Sequence, residues 1–159
     1  YERFSPVMFS VSLRYVKDHD SAQDVLLNSF MKVFSNIKQF KGDGSFEGWM
    51  RRIVVNEALM FLRKHKNMSV EVDIGEAQDK AATTYDHLEA EELLGLVQQL
   101  PVGYRTVFNM YAIEGYAHAE IAEKLSISEG TSKSQLSRAK QLLRQMLDRL
   151  DQSYQDQIG

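Results

Sequence analysis

Between His65 and about Asp86 the apolar residues lose helical spacing, and this break fixes the organisation of the chain before its other features are weighed. Upstream of it, Ala22, Leu26, Phe30, Val33 and Ile37 recur at intervals of four, four, three and four, the mark of one buried helix face. Downstream, Leu136, Ala139 and Leu143 follow the same rule. The pattern predicts two lobes, residues 1–66 and 87–159, joined by a flexible polar linker at 67–86. A third domain has no room in 159 residues. Lobes of this size bury only about 60% of the surface their unfolded chains expose, so each is modestly stable by itself. With two prolines and nine glycines, and with Ala, Leu, Gln, Glu, Lys and Met abundant, the composition favours helix over sheet throughout. The expected fold class is all-α.

The same composition removes several functions. There is no cysteine, which excludes disulfide frameworks, thiolate metal sites and cysteine nucleophiles. The four histidines, His19, His65, His87 and His118, are scattered, and no His-Glu-x-x-His, phosphate loop or nucleophile elbow occurs. No catalytic residue, metal or cofactor is therefore expected, and His118, close to Glu120, reads as a surface or capping residue. The longest apolar run, Ala58 to Leu62, falls far short of the roughly 20 residues of a membrane helix. No signal segment opens the chain, so a soluble protein without membrane insertion, resident in a reducing cytoplasm, is expected. Tyr1 is not a natural start, so a little of the first helix is expected to be missing.

The net charge of -3 argues against a nucleic-acid partner only until it is resolved along the chain. From Lys38 to Met68, seven bases (Lys38, Lys41, Arg51, Arg52, Arg63, Lys64, Lys66) face three acids. From Thr131 to Arg149, five bases face Asp148 alone. Between them, Glu71 to Glu92 carries eight acids and one lysine. Two basic lobes flank an acidic tether, and a polyanion responds to the local field rather than to the total. The tether is placed to compete with phosphate for the basic lobes in the free protein.

In the first lobe, Val7, Val11 and Tyr15 with Met8 predict a helix ending near Asp18 to Asp20, and Ser21 is the expected cap of the next. On that second helix a further stripe, Leu27, Met31 and Phe34, lies among Asp24, Asn28 and Lys32. It either packs inside the bundle or docks a partner helix. The loop Lys41-Gly42-Asp43-Gly44-Ser45 precedes a third helix, Phe46 to Lys64, most of whose circumference is apolar. One sector differs: Arg52, Asn56 and Arg63 fall within about 40° of one another, with Trp49 at its edge. Guanidinium, amide and indole groups in one strip offer phosphate contacts, base-edge hydrogen bonds and stacking. A solvated face with Trp49 in the core is the competing reading.

The second lobe opens with a helix at Leu88–Leu100, followed by Pro101 and a helix from about Gly103 to Ile113 with Tyr104, Val107, Phe108 and Tyr111 inward, ended by Gly115. Then Ile121, Ala122 and Leu125 on a short helix, a tight connection at Ser126 to Ser128, and a longer helix bearing Leu136, Ala139 and Leu143 form a helix-turn-helix pattern. Ser128 is the expected cap of the longer helix. Its opposite face holds Ser134, Ser137, Arg138 and Gln141, with Lys133 and Arg144 flanking. Short hydroxyls let the backbone approach DNA, Arg grips a guanine edge with two hydrogen bonds, and the flanking cations suit phosphate.

Four segments in this order resemble the extracytoplasmic-function group of bacterial sigma factors over nearly the whole chain. Ser21-Ala-Gln-Asp-Val-Leu-Leu-Asn-Ser-Phe-Met-Lys-Val-Phe is similar to that family's second-region helix, and Phe46-Glu-Gly-Trp-Met-Arg-Arg-Ile-Val-Val-Asn to its promoter-melting segment. Leu100-Pro-Val-Gly-Tyr-Arg-Thr-Val-Phe and the stretch from Glu120 through Gly130-Thr-Ser-Lys-Ser-Gln-Leu-Ser-Arg-Ala resemble its fourth region. The resemblance implies a non-enzymatic initiation factor that binds core RNA polymerase and gives it promoter specificity, monomeric when free, with an anti-sigma factor as a further partner. It implies polymerase contacts at Asp24, Leu27, Asn28 and Met31. It implies minus-ten contacts at Lys41, Phe46, Trp49, Arg52, Asn56 and Arg63, and minus-thirty-five contacts at Lys133, Ser134, Ser137, Arg138 and Gln141. Leu27, Asn28, Met60 and Ser132 depart from the family's usual residues, the last two standing where an acid and a valine are common.

Two rival readings remain at this level. A dimeric helix-turn-helix repressor or activator would use Leu143, Met146, Leu147 and Leu150 as its dimer contact. Its sensor lobe, however, has no need of a basic strip and a partner-facing helix. A helical adaptor that binds only protein leaves both basic segments without a purpose.

Overall fold

The computed structural model describes residues 1–65 and 90–159, all of whose regular elements are helical. The expected linker at 67–86 and the expected helix start at Leu88 lie outside the described residues. The chain divides into two compact units, Tyr1–Met68 and Ser69–Gly159.

Three helices build the first unit: α1 (Ser5–Val16), α2 (His19–Asn36) and α3 (Phe46–Lys64), each packed on the other two. Pro6 sits in the opening turn of α1, where its missing N–H costs nothing. The cap of α2 is Asp18 rather than Ser21: its Oδ2 accepts from the Ser21 amide at 2.9 Å and from the Ser21 hydroxyl at 2.7 Å. These two hydrogen bonds hold the Asp18 carboxyl below its ordinary pKa. The core joins Met8, Val11 and Tyr15 of α1 to Val25, Leu26, Phe30 and Val33 of α2 and to Met50, Val54, Ala58, Leu59 and Leu62 of α3. Ser12 and Ser29 are buried where helices approach closely, each hydroxyl donating to the carbonyl four residues back. Two expected core residues turn outward. Val7 lies on the solvent side of α1, and Ile37 is exposed because α2 stops at Asn36 and a tighter 3₁₀ turn, Ile37–Gln39, swings its side chain off the buried face.

The second unit contains α4 (Ala90–Gln98), α5 (Val102–Phe108), α6 (His118–Leu125) and α7 (Glu129–Ile158). Leu96, Val97 and Leu100 pack against Ala139, Leu143 and Leu147, with Met146 and Leu150 at the margin. Half of the stripe that a dimeric regulator would need for its partner, Leu143 and Leu147, is thus buried within the unit, and Met146 and Leu150 are partly so. The Tyr154 hydroxyl donates to Glu92 at 3.1 Å, tying α7 to α4 a second time.

The helix α5 runs into a π-helical turn, Asn109–Ile113. This inserts a residue into the 3.6-residue register, so Asn109 and Met110 point inward and Tyr111, expected in the core, comes out to 40% exposure. Gly115, at φ +79°, then lets the chain reverse into α6. Arg105 is buried with Nη1 donating to the Leu100 carbonyl at 3.3 Å, and burial pulls its pKa below the ordinary arginine value.

Candidate nucleic-acid interface

In the second unit α6 and α7 form the expected helix-turn-helix. Ser126 takes the left-handed conformation at φ +56°, and its neighbour Ile127 donates its amide to the Ala122 carbonyl at 3.0 Å. Ser128 then caps α7, its Oγ accepting from the Thr131 amide at 3.0 Å. Ile121, Ala122 and Leu125 of α6 and Leu136 and Ala139 of α7 are all buried. With that face fixed, Lys133 and Gln141 are exposed, and Ser134, Ser137, Arg138 and Arg144 are half-buried. The Ser134 hydroxyl donates to the Thr131 carbonyl at 3.1 Å, which leaves its oxygen facing outward as an acceptor.

The buried face of α7 is more polar than apolar spacing alone predicts. Thr131, Ser132 and Gln135 are buried as well as Leu136; Ser132 shares the face of Leu136 by helical spacing, and Thr131 and Gln135 extend the buried arc to one side. His118 is not a free surface or capping residue. Its Nδ1 lies 2.8 Å from Ser132 Oγ, and its ring stacks on Tyr111 with centroids 4.4 Å apart and planes at 17°. The N-terminal amide at Ala117 is met instead by Glu120, at 3.4 Å. Partial burial, Lys133 and Lys140 push the His118 pKa below its ordinary value, opposed by Glu129.

The first unit carries a second polar surface. Ser45 caps α3 by accepting from the Gly48 amide at 2.8 Å, and Gly42 and Gly44 both adopt φ +79° in the preceding loop, which a side chain would strain. Lys41, the first residue of this loop, is exposed. Beneath it Phe46 and Trp49 are half-buried in a ring cluster: Phe40 and Phe46 centroids lie 5.3 Å apart, and Trp49 is 5.5 Å from each. Trp49 is therefore neither a core residue nor an open stacking plate; its ring underpins the loop. Arg52, Asn56 and Arg63 are exposed on α3, as the wheel requires.

On α2 the second stripe is not inside the bundle. Leu27 is 48%, Met31 67% and Phe34 58% exposed, with Asp24 and Asn28 exposed beside them. Between α2 and α3 lies a groove bordered by Leu27, Met31, Met60 and Phe61 and by the cations Arg63 and Lys64. Its floor holds an ion pair between Lys32 and the nearly buried Glu57, and Lys32 Nζ also lies 3.9 Å from Met60 Sδ.

Residues 1–68 match the model for sigma-70 region 2, and residues 90–143 that for sigma-70 region 4. The RNA polymerase sigma factor SigV of Bacillus subtilis (strain 168) is 29% identical over 145 residues, spanning 91% of this chain and 87% of that protein. The ECF RNA polymerase sigma factor SigM of the same organism is 28% identical over 153 residues, spanning 94% and 93%. Among solved structures, the sigma factor RpoE in complex with the anti-sigma factor NepR from Bartonella quintana shares the fold, with a TM-score of 0.58, 22% identity and 91% of each chain covered. A region 2 bundle with an uncovered α2 stripe, followed by a region 4 helix-turn-helix, places the chain in the sigma-70 family: it is a non-enzymatic transcription initiation factor of the extracytoplasmic-function group.

Proposed function

We propose that the two units divide promoter recognition between them, with the first opening strands and the second measuring duplex. Residues 1–66 would hold core RNA polymerase through Asp24, Leu27, Asn28 and Met31 and engage the melted minus-ten element. Lys41, Arg52, Asn56 and Arg63 contact the strand, and Phe46 and Trp49 hold the loop that presents Lys41. Residues 87–159 would read the minus-thirty-five element in the major groove, with Arg138 on a base edge, Ser134, Ser137 and Gln141 beside it and Lys133 on phosphate. The polar segment 67–86 is the tether that lets polymerase set their separation. The observation that carries this reading is the exposed apolar stripe of α2, which has no use in a free monomer and suits a helical partner.

The same stripe suits an anti-sigma factor, which would compete with polymerase for it. A solved complex supports such a partner: the sigma factor RpoE, which shares the fold, is bound there to the anti-sigma factor NepR. A cytoplasmic site of action and a monomeric free state follow from the same role. No helix among the described residues is long and apolar enough to cross a membrane.

Arg52→Ala and Asn56→Ala are expected to bind promoter in the closed complex at near wild-type affinity, yet open a linear promoter poorly. Permanganate reactivity of thymines in the minus-ten region should fall several-fold in both variants. Wild-type reactivity would remove these residues from strand opening.

A further inference from the structure

We propose that His118 is a positioning residue for promoter reading: its hydrogen bond to Ser132, with its ring held against Tyr111, sets the rotation of the recognition helix α7 on duplex DNA. The proposal rests on the assignment of Lys133, Ser134, Ser137 and Arg138 to the minus-thirty-five element.

Three elements meet at this contact. Tyr111 belongs to the π turn after α5, His118 opens α6, and Ser132 lies in the first turns of α7. The Nδ1 to Oγ distance is 2.8 Å, and the two rings are nearly parallel at 4.4 Å. Ser132 is completely buried and is followed directly by Lys133 and Ser134, so whatever holds its hydroxyl holds the start of the reading face. A hydrogen bond at this point is directional and constrains rotation in a way that apolar contact does not. Side chains lie about 5–6 Å from a helix axis, so a 10° rotation of α7 moves their outer atoms by about 1 Å. The shorter Ser132 side chain moves less, but good hydrogen bonds span only about 0.5 Å in length, so the His118–Ser132 bond resists such a rotation.

The ring's surroundings keep it in the state the bond needs. Partial burial with Lys133 and Lys140 nearby outweighs Glu129 and favours the uncharged imidazole. An uncharged ring retains one nitrogen as acceptor, so the Ser132 hydroxyl can donate to Nδ1 and leave the ring proton on Nε2. Tyr111 fixes the ring plane from the other side, which accounts for an aromatic residue standing outside the core at 40% exposure.

The test uses the full chain assembled with core RNA polymerase and a promoter library randomised at the upstream element and constant elsewhere, sorted by run-off transcription. Ser132→Ala and His118→Phe remove the hydrogen bond, the latter while keeping a ring on Tyr111. His118→Asn restores a polar atom near the Nδ1 position. Ser132→Ala and His118→Phe are each expected to flatten base preference at the upstream element by about 3- to 10-fold, and the two combined no further than either alone, whereas His118→Asn retains part of the preference that His118→Phe loses. Thermal melting of each variant separates this from loss of fold, and Ser132→Ala, which removes one atom, is the variant least able to disturb packing. An unchanged preference profile in Ser132→Ala and His118→Phe overturns the proposal, as do strictly multiplicative losses in the double variant. A variant with Ser134, Ser137, Arg138 and Gln141 all replaced by Ala is run alongside. If it leaves the profile unchanged, the assignment of α7 to the upstream element fails; if it alters the profile while the His118 and Ser132 variants do not, only the positioning role fails.

Discussion

Met31→Asp is expected to weaken binding of core RNA polymerase about 100-fold or more while leaving the stability of the first unit within about 0.5 kcal/mol of wild type. The two halves of this expectation come from one number: Met31 is 67% exposed on α2, so the unit itself has little to lose. Apolar anchors at the centre of a protein interface commonly contribute about 2 kcal/mol or more, and a carboxylate in that place must also be desolvated. Leu27→Asp, at 48% exposure, should behave in the same way. Val33→Asp provides the contrast, because Val33 is buried at 2% exposure and a charge there should unfold the bundle. Titration of labelled protein into core polymerase, with thermal melting in parallel, checks both. Unimpaired binding by Met31→Asp would mean that polymerase grips another face.

Arg138→Ala should cost about 1–3 kcal/mol of discrimination at one base pair of the upstream element, with little change elsewhere in it, if the guanidinium grips a base edge with two hydrogen bonds. Lys133→Ala should instead weaken all promoter variants about equally and make the dependence on salt shallower by roughly one unit of log–log slope. Competition between single-base promoter variants for holoenzyme, repeated at two salt concentrations, separates these outcomes. A uniform loss for Arg138→Ala would make it a phosphate contact and leave the base reading to Ser134, Ser137 and Gln141.

Much of this architecture was legible because helix spacing and turn chemistry agree in it. The helix-turn-helix follows from Ile121, Ala122 and Leu125, the tight turn and the Ser128 cap, and each is placed by a local rule that the structure obeys. Local rules failed where two of them competed. Asp18 and Ser21 are both good caps, and Asp18 prevails because the amide three residues on from it is the Ser21 N–H that needs an acceptor. Tyr111 was misplaced because a π turn shifts the register, and 3.6-residue spacing cannot register an inserted residue.

The sites were less legible than the fold for a related reason. Apolar periodicity marks a face but not what covers it, so the exposure of Leu27, Met31 and Phe34 had to come from the packed structure. The same method is blind to buried polar contacts. Ser132 shares the face of Leu136 by helical spacing, but its link to His118 is made across elements and has no signature along the chain. Glu57 was likewise hidden, since its role depends on Lys32 of the neighbouring helix.

The most direct measurement is run-off transcription with purified core polymerase, comparing the intact chain with one lacking residues 87–159, alongside gel shifts of promoter DNA without polymerase. The account predicts promoter-specific transcripts from the intact chain, retained polymerase binding with loss of upstream-element dependence in the shortened one, and no stable duplex complex for either alone. A chain that fails to associate with polymerase, yet shifts a palindromic duplex as a dimer, would contradict it.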